Sequence, residues 1–312
     1  MILIGDVREK LKELDDCSVQ CCVTSPPYWG LRNYQEEAQL GLEETPEEYV
    51  ENMVKVFREV KRVLKNDGTC WLNLGDTYSA QRWTKKGLDY TEAQPMNGMK
   101  DDWRAIAPTK KSGLPDKNLV GIPWRVALAL QQDGWYLRQD IIWHKPNPMP
   151  ESVQDRCTKS HEYIFLLTKS ARYYYDADAI REPVSAVSLK RAEYGWDCDR
   201  PSTKNASLGG EGIHTEKMGS RFVNPKGRNK RSVWTITTKP FKDAHFAVFP
   251  IEIPAYCIKA GSKEGDTILD PFMGSGTTAL AAQEHGRKWV GVELNPEYAK
   301  IIKKRTQQTL LF

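Results

Sequence analysis

Residues 267–293 constrain the fold of this chain more than any other segment. A β-branched run predicts a strand, Gly274 and Gly276 predict a tight turn, an alanine-rich stretch predicts a helix, and residues 289–292 predict a second strand. A β-α-β unit of this kind belongs to a larger parallel sheet, yet almost no chain follows it. The other strands must therefore come from the N-terminal part. We predict that residues 1–4 form a strand beside residues 289–292.

Alternating strands and helices are predicted ahead of this unit. Thr45, Pro46 and Glu48 form a capping-box pattern, which predicts a helix that begins at Pro46 and ends near Gly68. The other predicted elements are strands over 19–23, 69–74, 141–143 and 163–167 and a helix over 123–132. This alternation predicts an α/β fold in which a mostly parallel sheet carries helices on both faces.

The glycine-rich turn has the chemistry of a nucleotide site. Glycine lets a ligand approach the backbone, and a helix N-terminus offers free N–H groups. Glu293 lies roughly 20 residues beyond the turn, the distance at which a carboxylate meets ribose hydroxyls in a nucleotide-binding unit. Gly274, Gly276 and Ala279 also satisfy the fingerprint of nicotinamide dehydrogenases, so an NAD-dependent oxidoreductase is an alternative interpretation.

A second motif, Thr-Ser-Pro-Pro-Tyr-Trp, follows the strand predicted at 19–23. Proline fixes φ and has no N–H to donate, so this loop is stiff and its carbonyls stay free as acceptors. The Ser25 hydroxyl and the Pro26 carbonyl could accept protons from the amino group of a base while Tyr28 stacks on its plane. The dehydrogenase interpretation leaves this motif unexplained.

Together the two motifs resemble those of the amino-methylating DNA methyltransferases, and the resemblance covers most of the chain. That family transfers a methyl group from S-adenosylmethionine to an exocyclic amino nitrogen of cytosine or adenine. The resemblance implies a Rossmann-like S-adenosylmethionine-dependent methyltransferase fold in a circularly permuted order. The catalytic loop comes before the cofactor loop, and a target-recognition region is inserted between them.

The resemblance assigns roles to two sets of residues. The catalytic set, which acts on a base flipped out of the duplex, is Ser25, Pro26, Pro27 and Tyr28. The cofactor-binding set is Asp6, Phe249, Asp270, Phe272, Gly274, Gly276, Thr277, Thr278 and Glu293. Asp6 is expected to accept from the adenine amino group and Glu293 from the ribose, while residues 245–250 help to bind the methionine portion. No metal is implied.

The identity of the target base depends on Ser25. Family members with serine at the first position of the tetrapeptide mostly methylate N4 of cytosine, and those with aspartate or asparagine mostly methylate N6 of adenine. The resemblance therefore favours cytosine N4. Adenine N6 is the alternative, because a hydroxyl and a carbonyl could also hold an adenine amine. Methylation of RNA or of a protein glutamine is a more distant alternative.

The charge distribution points to the recognition region. Residues 185–242 carry twelve Lys or Arg and five Asp or Glu, a net of +7, whereas the whole chain carries +4. The most basic run contains Lys226, Arg228, Lys230 and Arg231, which predicts contacts with DNA phosphates. The predicted parts are a catalytic part at 1–184 with a flexible insertion near 79–118, a target-recognition region at 185–242, and a cofactor-binding part at 243–312.

Several weaker patterns complete the prediction. Lys145, Arg156 and Glu162 match the family's spacing and could contact phosphates or order the loop opposite the catalytic site. Seven cysteines without a C-x-x-C pair predict reduced thiols. No run of 18 apolar residues and no signal pattern are present, so we expect a soluble, cytoplasmic protein, and a prokaryotic, viral or plasmid-borne origin is compatible with the resemblance.

The expected partners follow from the same resemblance. Double-stranded DNA is the expected substrate, and a cognate restriction endonuclease is a further partner within a restriction-modification system. The chain is expected to act as a monomer or a homodimer, with no membrane partner.

Overall fold

The computed structural model describes residues 1–31, 36, 38–79, 112–187, 190, 224, 226–238 and 248–308. The chain forms two compact units, Met1–Tyr175 with Ser232–Phe312, and Asp176–Arg231. The smaller unit overlaps the recognition region predicted at 185–242. It ends before residue 233 because residues 233–235 pair with the sheet of the larger unit.

The described part of the larger unit contains one sheet of eight strands. In chain order they are β1 (Ile2–Ile4), β2 (Val19–Thr24), β3 (Leu64–Leu74), β4 (Tyr136–His144), β5 (His161–Thr168), β6 (Val233–Thr235), β7 (Thr267–Asp270) and β8 (Lys288–Glu293). Their order across the sheet is β1-β8-β7-β2-β3-β5-β4-β6. Only the pairings of β5 with β3 and with β4 are antiparallel, and the other five are parallel. The prediction of a mostly parallel sheet is confirmed.

Helices cover both faces of this sheet. They are α1 (Val7–Lys10), α2 (Pro46–Val63), α3 (Ile122–Gln132), α4 (Glu252–Gly261), α5 (Thr277–Glu284) and α6 (Pro296–Gln308). Helices α1 and α3 both contact α2, whereas α4 and α6 both contact α5. On β2, Cys22 joins the core with α2, while the adjacent Cys21 faces Gly261 of α4. Successive strand residues point to opposite faces, so one helix group lies on each side.

The predicted permutation is confirmed by the edge of the sheet. β1 runs parallel to β8, with Ile2 opposite Gly291 and Ile4 opposite Glu293. The Met1 amino group donates to the Trp289 carbonyl at 2.8 Å. The first strand of the chain therefore completes the sheet beside its last strand.

The second helix begins as predicted and ends earlier than predicted. The Thr45 hydroxyl accepts a hydrogen bond from the Glu48 amide at 3.2 Å, which caps the first turn. The helix ends at Val63 rather than near Gly68, because the next residue adopts an extended backbone and pairs with Val19 of β2. The helical spacing of apolar residues extends to Leu64, so the sequence pattern does not mark the end of the helix at Val63.

Residues at the two ends of the predicted insertion, which follows β3 in the chain, contact each other. Tyr78 forms an isolated β-bridge with Leu119. The hydroxyl oxygens of Ser79 and Ser112 lie 2.6 Å apart. Residues 80–111, which make up most of the predicted insertion, lie outside the described residues. Ser79 and Ser112, which flank residues 80–111 in sequence, therefore lie side by side in the larger unit.

The cysteines of the described residues are free thiols. They are Cys17, Cys21, Cys22, Cys70, Cys157 and Cys257. Burial raises the pKa of the Cys21 thiol to about 12, so it stays protonated at neutral pH and has no nucleophilic character. Within the described part of the chain, no helix has the length and apolar character needed to cross a membrane.

Candidate active site

A cavity of about 710 Å³ lies at the carboxyl edge of the parallel strands. β2 and β7 are paired neighbours, so the loops that follow them lie side by side. The predicted residues that line the cavity are Asp6, Ser25, Pro26, Pro27, Tyr28, Phe249, Phe272, Gly274, Thr277 and Glu293. The two sequence motifs therefore face one space. Residues 245–247 of the predicted methionine segment lie outside the described residues.

A buried carboxylate joins the two loops. Asp270, the last residue of β7, accepts hydrogen bonds from the Thr24 hydroxyl at 2.7 Å and from the Thr278 hydroxyl at 2.6 Å. It also accepts from the Phe272 amide at 3.0 Å. Thr24 directly precedes Ser25, so Asp270 ties the start of the Ser25 loop to the glycine-rich loop.

Three residues predicted to contact the cofactor lie behind the cavity wall. Asp270, Gly276 and Thr278 do not line the cavity, and Asp270 and Thr278 are each 1% exposed. Gly276 precedes α5 with a φ of +83°, and an added Cβ there would lie 3.1 Å from Ile302. The side chains of Asp270 and Thr278 are turned inward, where their hydrogen bonds hold the loop, and the cofactor contacts predicted for these three residues stay predictions.

Glu293 presents a carboxylate to the cavity and is held from two sides. One oxygen accepts from the Gly274 amide at 2.7 Å and the other from the Asn295 amide at 2.9 Å. Burial raises the pKa of this carboxyl to about 7, although the amide hydrogen bonds act to lower it. A carboxylate oxygen accepts more than one hydrogen bond, so both oxygens retain capacity for a ligand hydroxyl.

The Ser25 loop is held by aromatic residues. The Tyr49 hydroxyl, on α2, donates to the Pro27 carbonyl at 2.8 Å. Trp29 is 2% exposed, and its indole N–H donates to the Glu43 carbonyl at 2.9 Å. Trp29 is therefore a core residue, and the loop that carries Ser25 is anchored beyond its own prolines.

Tyr28 is held at its ring and at its hydroxyl. The ring packs on Gly75, where an added Cβ would lie 2.6 Å from a ring carbon. The hydroxyl lies 2.7 Å from a Glu162 carboxylate oxygen, 3.2 Å from the Asn73 amide oxygen and 3.3 Å from the Ser25 hydroxyl. Burial, and then the charge of Glu162, raise the pKa of the phenol well above its usual range, so it stays neutral. Stacking of the ring on a base stays a prediction.

Asp6 lies between β1 and α1 and is already engaged. Its carboxylate accepts from the Arg8 amide at 2.9 Å and forms an ion pair with the Arg8 guanidinium at 2.5 Å. Burial acts to raise the pKa of Asp6, but the hydrogen bonds and charge of Arg8 outweigh burial and hold the pKa below its usual range. Asp6 is therefore an ionised acceptor at the cavity wall.

Asn73 and Lys159 are among the cavity residues that were not predicted as site residues. Asn73 lies in the otherwise apolar end of β3, and its amide nitrogen donates to the Tyr163 carbonyl at 3.0 Å. The signal in the sequence is a lone amide within a buried strand. Lys159 also lines the cavity, and its buried ammonium has no hydrogen-bond partner among the described residues. Burial lowers the pKa of Lys159, and no motif marks it in the sequence.

The basic run lies in the smaller unit and is partly neutralised there. Glu182 forms ion pairs with Arg228 at 3.2 Å, Lys230 at 3.8 Å and Arg231 at 3.2 Å. The Lys230 side chain is only 10% exposed, whereas those of Lys226 and Arg231 are each 68% exposed. The four cations predicted to contact DNA are therefore unequal in their access to a partner.

The permuted sheet, the glycine-rich turn and the carboxylate that ends β8 define the class of Rossmann-like methyltransferases. The facing Ser-Pro-Pro-Tyr loop is that of the amino-methylating branch. The family model for the N6/N4 type, described as a DNA methylase, matches residues 19–304. The chain belongs to this family of amino-methylating DNA methyltransferases.

Comparison with known proteins agrees with this assignment. The Type II methyltransferase M.SmaI of Serratia marcescens is 44% identical over 306 residues, which cover 97% of this chain and 89% of that protein. M.Cfr9I of Citrobacter freundii is 45% identical over 303 residues, which cover 97% of this chain and 86% of that protein. The NAD-dependent dehydrogenase interpretation is therefore wrong.

Solved structures share the fold. The cytosine-N4-specific PvuII DNA methyltransferase matches with a TM-score of 0.61 and 20% identity, over 98% of this chain and 85% of that one. A putative DNA modification methylase from Thermus thermophilus, in complex with S-adenosylmethionine, matches with a TM-score of 0.59 and 24% identity, over 98% of this chain and 93% of that one. The predicted methyltransferase fold is confirmed.

The Asp270 carboxyl should make stability depend on pH. Burial raises its pKa from 3.8 to about 6, so the folded state holds this proton more tightly than the unfolded state does. The stabilisation is present below about pH 4 and is lost as the pH rises through 6. The free energy of unfolding of the wild type minus that of Asp270→Asn should fall by on the order of 3 kcal/mol between pH 4 and 7. Denaturant titrations of both proteins across this range measure it, and a constant difference would contradict the burial argument.

Proposed function

We propose that the protein transfers a methyl group from S-adenosylmethionine to N4 of a cytosine that is flipped out of duplex DNA. The observation that carries this proposal is the cavity lined by both the Ser25 loop and the Gly274 loop. One loop offers acceptors for an amino group, and the other, with Glu293, offers partners for a nucleoside. N6 of adenine is the alternative target.

The cavity suits the methyl donor, which supplies an electrophilic methyl group on a positively charged sulfur when bound. Glu293 accepts from the ribose hydroxyls, and the ionised Asp6 accepts from the adenine amino group. Phe249 and Phe272 give the wall apolar surface. The volume of about 710 Å³ lies within the range of roughly 300–1,000 Å³ that is usual for ligand sites.

The Ser25 loop supplies what an exocyclic amine needs. Such an amine is a poor nucleophile because its lone pair is delocalised into the ring. The two N–H groups donate hydrogen bonds to the Ser25 hydroxyl and the Pro26 carbonyl, and these hydrogen bonds oppose that delocalisation and orient the nitrogen. No covalent intermediate is required, so positioning and electrostatic stabilisation supply the rate enhancement. A stacked base cannot reach this wall and must leave the duplex.

Two observations support cytosine over adenine. Serine occupies the first position of the tetrapeptide, and the PvuII enzyme of the same fold is cytosine-N4-specific. The relatives M.SmaI and M.Cfr9I are Type II methyltransferases, which supports duplex DNA as the substrate and a cognate restriction endonuclease as a partner.

The product identifies the target base. Genomic DNA from cells that express the protein should contain N4-methylcytosine after digestion to nucleosides and mass spectrometry. DNA from cells that express Ser25→Ala is the control and should contain much less of it. N6-methyladenine as the only new nucleoside would replace the cytosine assignment with the adenine alternative.

Loss of the Ser25 hydroxyl should separate catalysis from cofactor binding. We expect Ser25→Ala to lower kcat by about 10²-fold or more, because one acceptor for the amino group is removed. Binding of labelled S-adenosylmethionine should be nearly unchanged, because Ser25 is not assigned a contact with the ribose or adenine. Ser18→Ala, at an exposed serine, is the matched control and should behave as the wild type. Equal losses of kcat and cofactor affinity would sink the assigned role.

The basic run should contribute unequally to DNA affinity. Lys226→Ala and Arg231→Ala should each reduce the slope of log affinity against log salt concentration by about 1. Lys230→Ala should leave the slope unchanged, because its side chain is 10% exposed and faces Glu182. Lys300→Ala, at a lysine of the larger unit that is 72% exposed and paired with Glu297, controls for loss of an exposed charge. Fluorescence anisotropy with labelled duplex measures the slopes, and identical slopes for all four variants would contradict a phosphate role for this run.

A further inference from the structure

A chain of hydrogen bonds connects Ser25 to an ion pair on the far side of Tyr28. The Ser25 hydroxyl donates to the Tyr28 oxygen at 3.3 Å, and the Tyr28 hydroxyl donates to Glu162 at 2.7 Å. The second carboxylate oxygen of Glu162 accepts from the Lys145 ammonium. The Lys145 and Glu162 side chains are only 19% and 15% exposed, and both line the cavity. The chain therefore runs along the wall that holds the proposed target.

The number of hydroxyl protons available fixes which residue donates in each of these hydrogen bonds. A tyrosine hydroxyl has one proton to donate. The Asn73 amide oxygen also faces it at 3.2 Å, and this orientation is fixed because the Asn73 nitrogen donates to the Tyr163 carbonyl. The charged acceptor at 2.7 Å forms the stronger bond, so the Tyr28 proton lies towards Glu162. The Tyr28 oxygen is then an acceptor, and the Ser25 proton lies towards it.

This direction matters for the chemistry of Ser25. A serine hydroxyl can donate or accept, and its proton turns to suit its surroundings. An amino group that faces a hydroxyl proton meets repulsion, whereas one that faces the lone pairs is held. With its proton committed to Tyr28, Ser25 presents only lone pairs to the cavity.

We propose that Glu162 is a positioning residue that, through Tyr28, makes Ser25 an obligatory acceptor for the amino group of the target base. The inference rests on the proposed function and extends it to a residue outside the tetrapeptide. Lys145 contributes by holding the carboxylate of Glu162 in place. Tyr28 thereby acts through its hydroxyl as well as through its ring.

Glu162→Gln tests the direction of the chain with almost no change in shape. Lys145 has only protons to offer, so the glutamine keeps its oxygen towards Lys145 and turns its NH₂ group towards Tyr28. The glutamine N–H then donates to the Tyr28 oxygen and competes with Ser25 for its lone pairs, so the Ser25 proton is no longer committed to Tyr28 and can turn towards the amino group. We expect kcat to fall by about 10- to 100-fold, while the KM values for S-adenosylmethionine and DNA stay unchanged.

Tyr28→Phe provides an independent test, because it keeps the aromatic ring and removes the hydroxyl that connects Ser25 with Glu162. Its kcat should fall to a similar extent with unchanged KM values. In the double variant, Glu162→Gln should add little to Tyr28→Phe, because the carboxylate acts through the missing hydroxyl. Asp133→Asn is the matched control: Asp133 is also 15% exposed, pairs with Arg58 at 2.6 Å and does not line the cavity, so its kcat should equal that of the wild type.

The outcomes of these measurements are distinct. Wild-type kcat in Tyr28→Phe, or losses that multiply in the double variant, would overturn the positioning role. A fall in kcat for Glu162→Gln that is matched by a rise in both KM values would also overturn it, because a distorted cavity would explain the loss. The nucleoside product of the wild-type enzyme reports separately on the proposed function. A product of N6-methyladenine would revise the target base and leave the kcat comparison intact.

Discussion

The arrangement of the site depends on the hydrogen bonds of one buried carboxylate. Asp270 accepts from Thr24 and Thr278, and Thr24 lies 246 residues before it in the chain. The pairing of β2 with β7 places the two loops side by side, and the Asp270 hydrogen bonds join them directly where the strands end. Transfer between two bound groups depends on that relative position to a fraction of an ångström. Burial of the charge is unfavourable, as the raised pKa of Asp270 shows, and the hydroxyl donors offset part of that penalty.

Burial of the Glu293 carboxyl couples its ionisation to the binding of a ligand. Two backbone amides leave the pKa of its carboxyl at about 7, because their hydrogen bonds do not compensate fully for lost hydration. Hydroxyl groups of a bound nucleoside would add donors and favour the ionised form. Binding and loss of the proton are therefore coupled at this residue. Asp6 differs, because the Arg8 guanidinium already supplies the charge that keeps it ionised.

The order of the elements along the chain was enough to predict the permuted sheet. The β-α-β unit at residues 267–293 needs neighbouring strands, and these can come only from earlier parts of the sequence. The resemblance of the two motifs also implied that the Ser25 loop and the Gly274 loop serve one site, and both loops line one cavity. The inward turn of Asp270 and Thr278 could not be predicted, because it depends on the pairing of β2 with β7, which no local pattern encodes. The end of α2 was missed for a similar reason, since Val19 rather than any breaker residue fixes it.

Contacts between residues that are far apart in the sequence could not be predicted either. The place of Glu162 beside Tyr28 depends on β5 entering the sheet in the opposite direction to its neighbours. All four cations of the basic run were predicted to contact DNA, whereas Glu182, which lies outside that run, forms ion pairs with three of them. Composition can locate such a segment, but the pairing of its charges is a property of the folded unit.

The fastening of Tyr78 to Leu119 and of Ser79 to Ser112 has an evolutionary consequence. Once the two ends of an intervening segment are held together, its closure entropy depends only weakly on its length, at about 0.6 kcal/mol for each doubling. Insertions and deletions between these ends would therefore leave β3 and the Asn73 wall nearly undisturbed. The length of the chain between Ser79 and Ser112 can therefore vary among related enzymes at little cost to the geometry of the site.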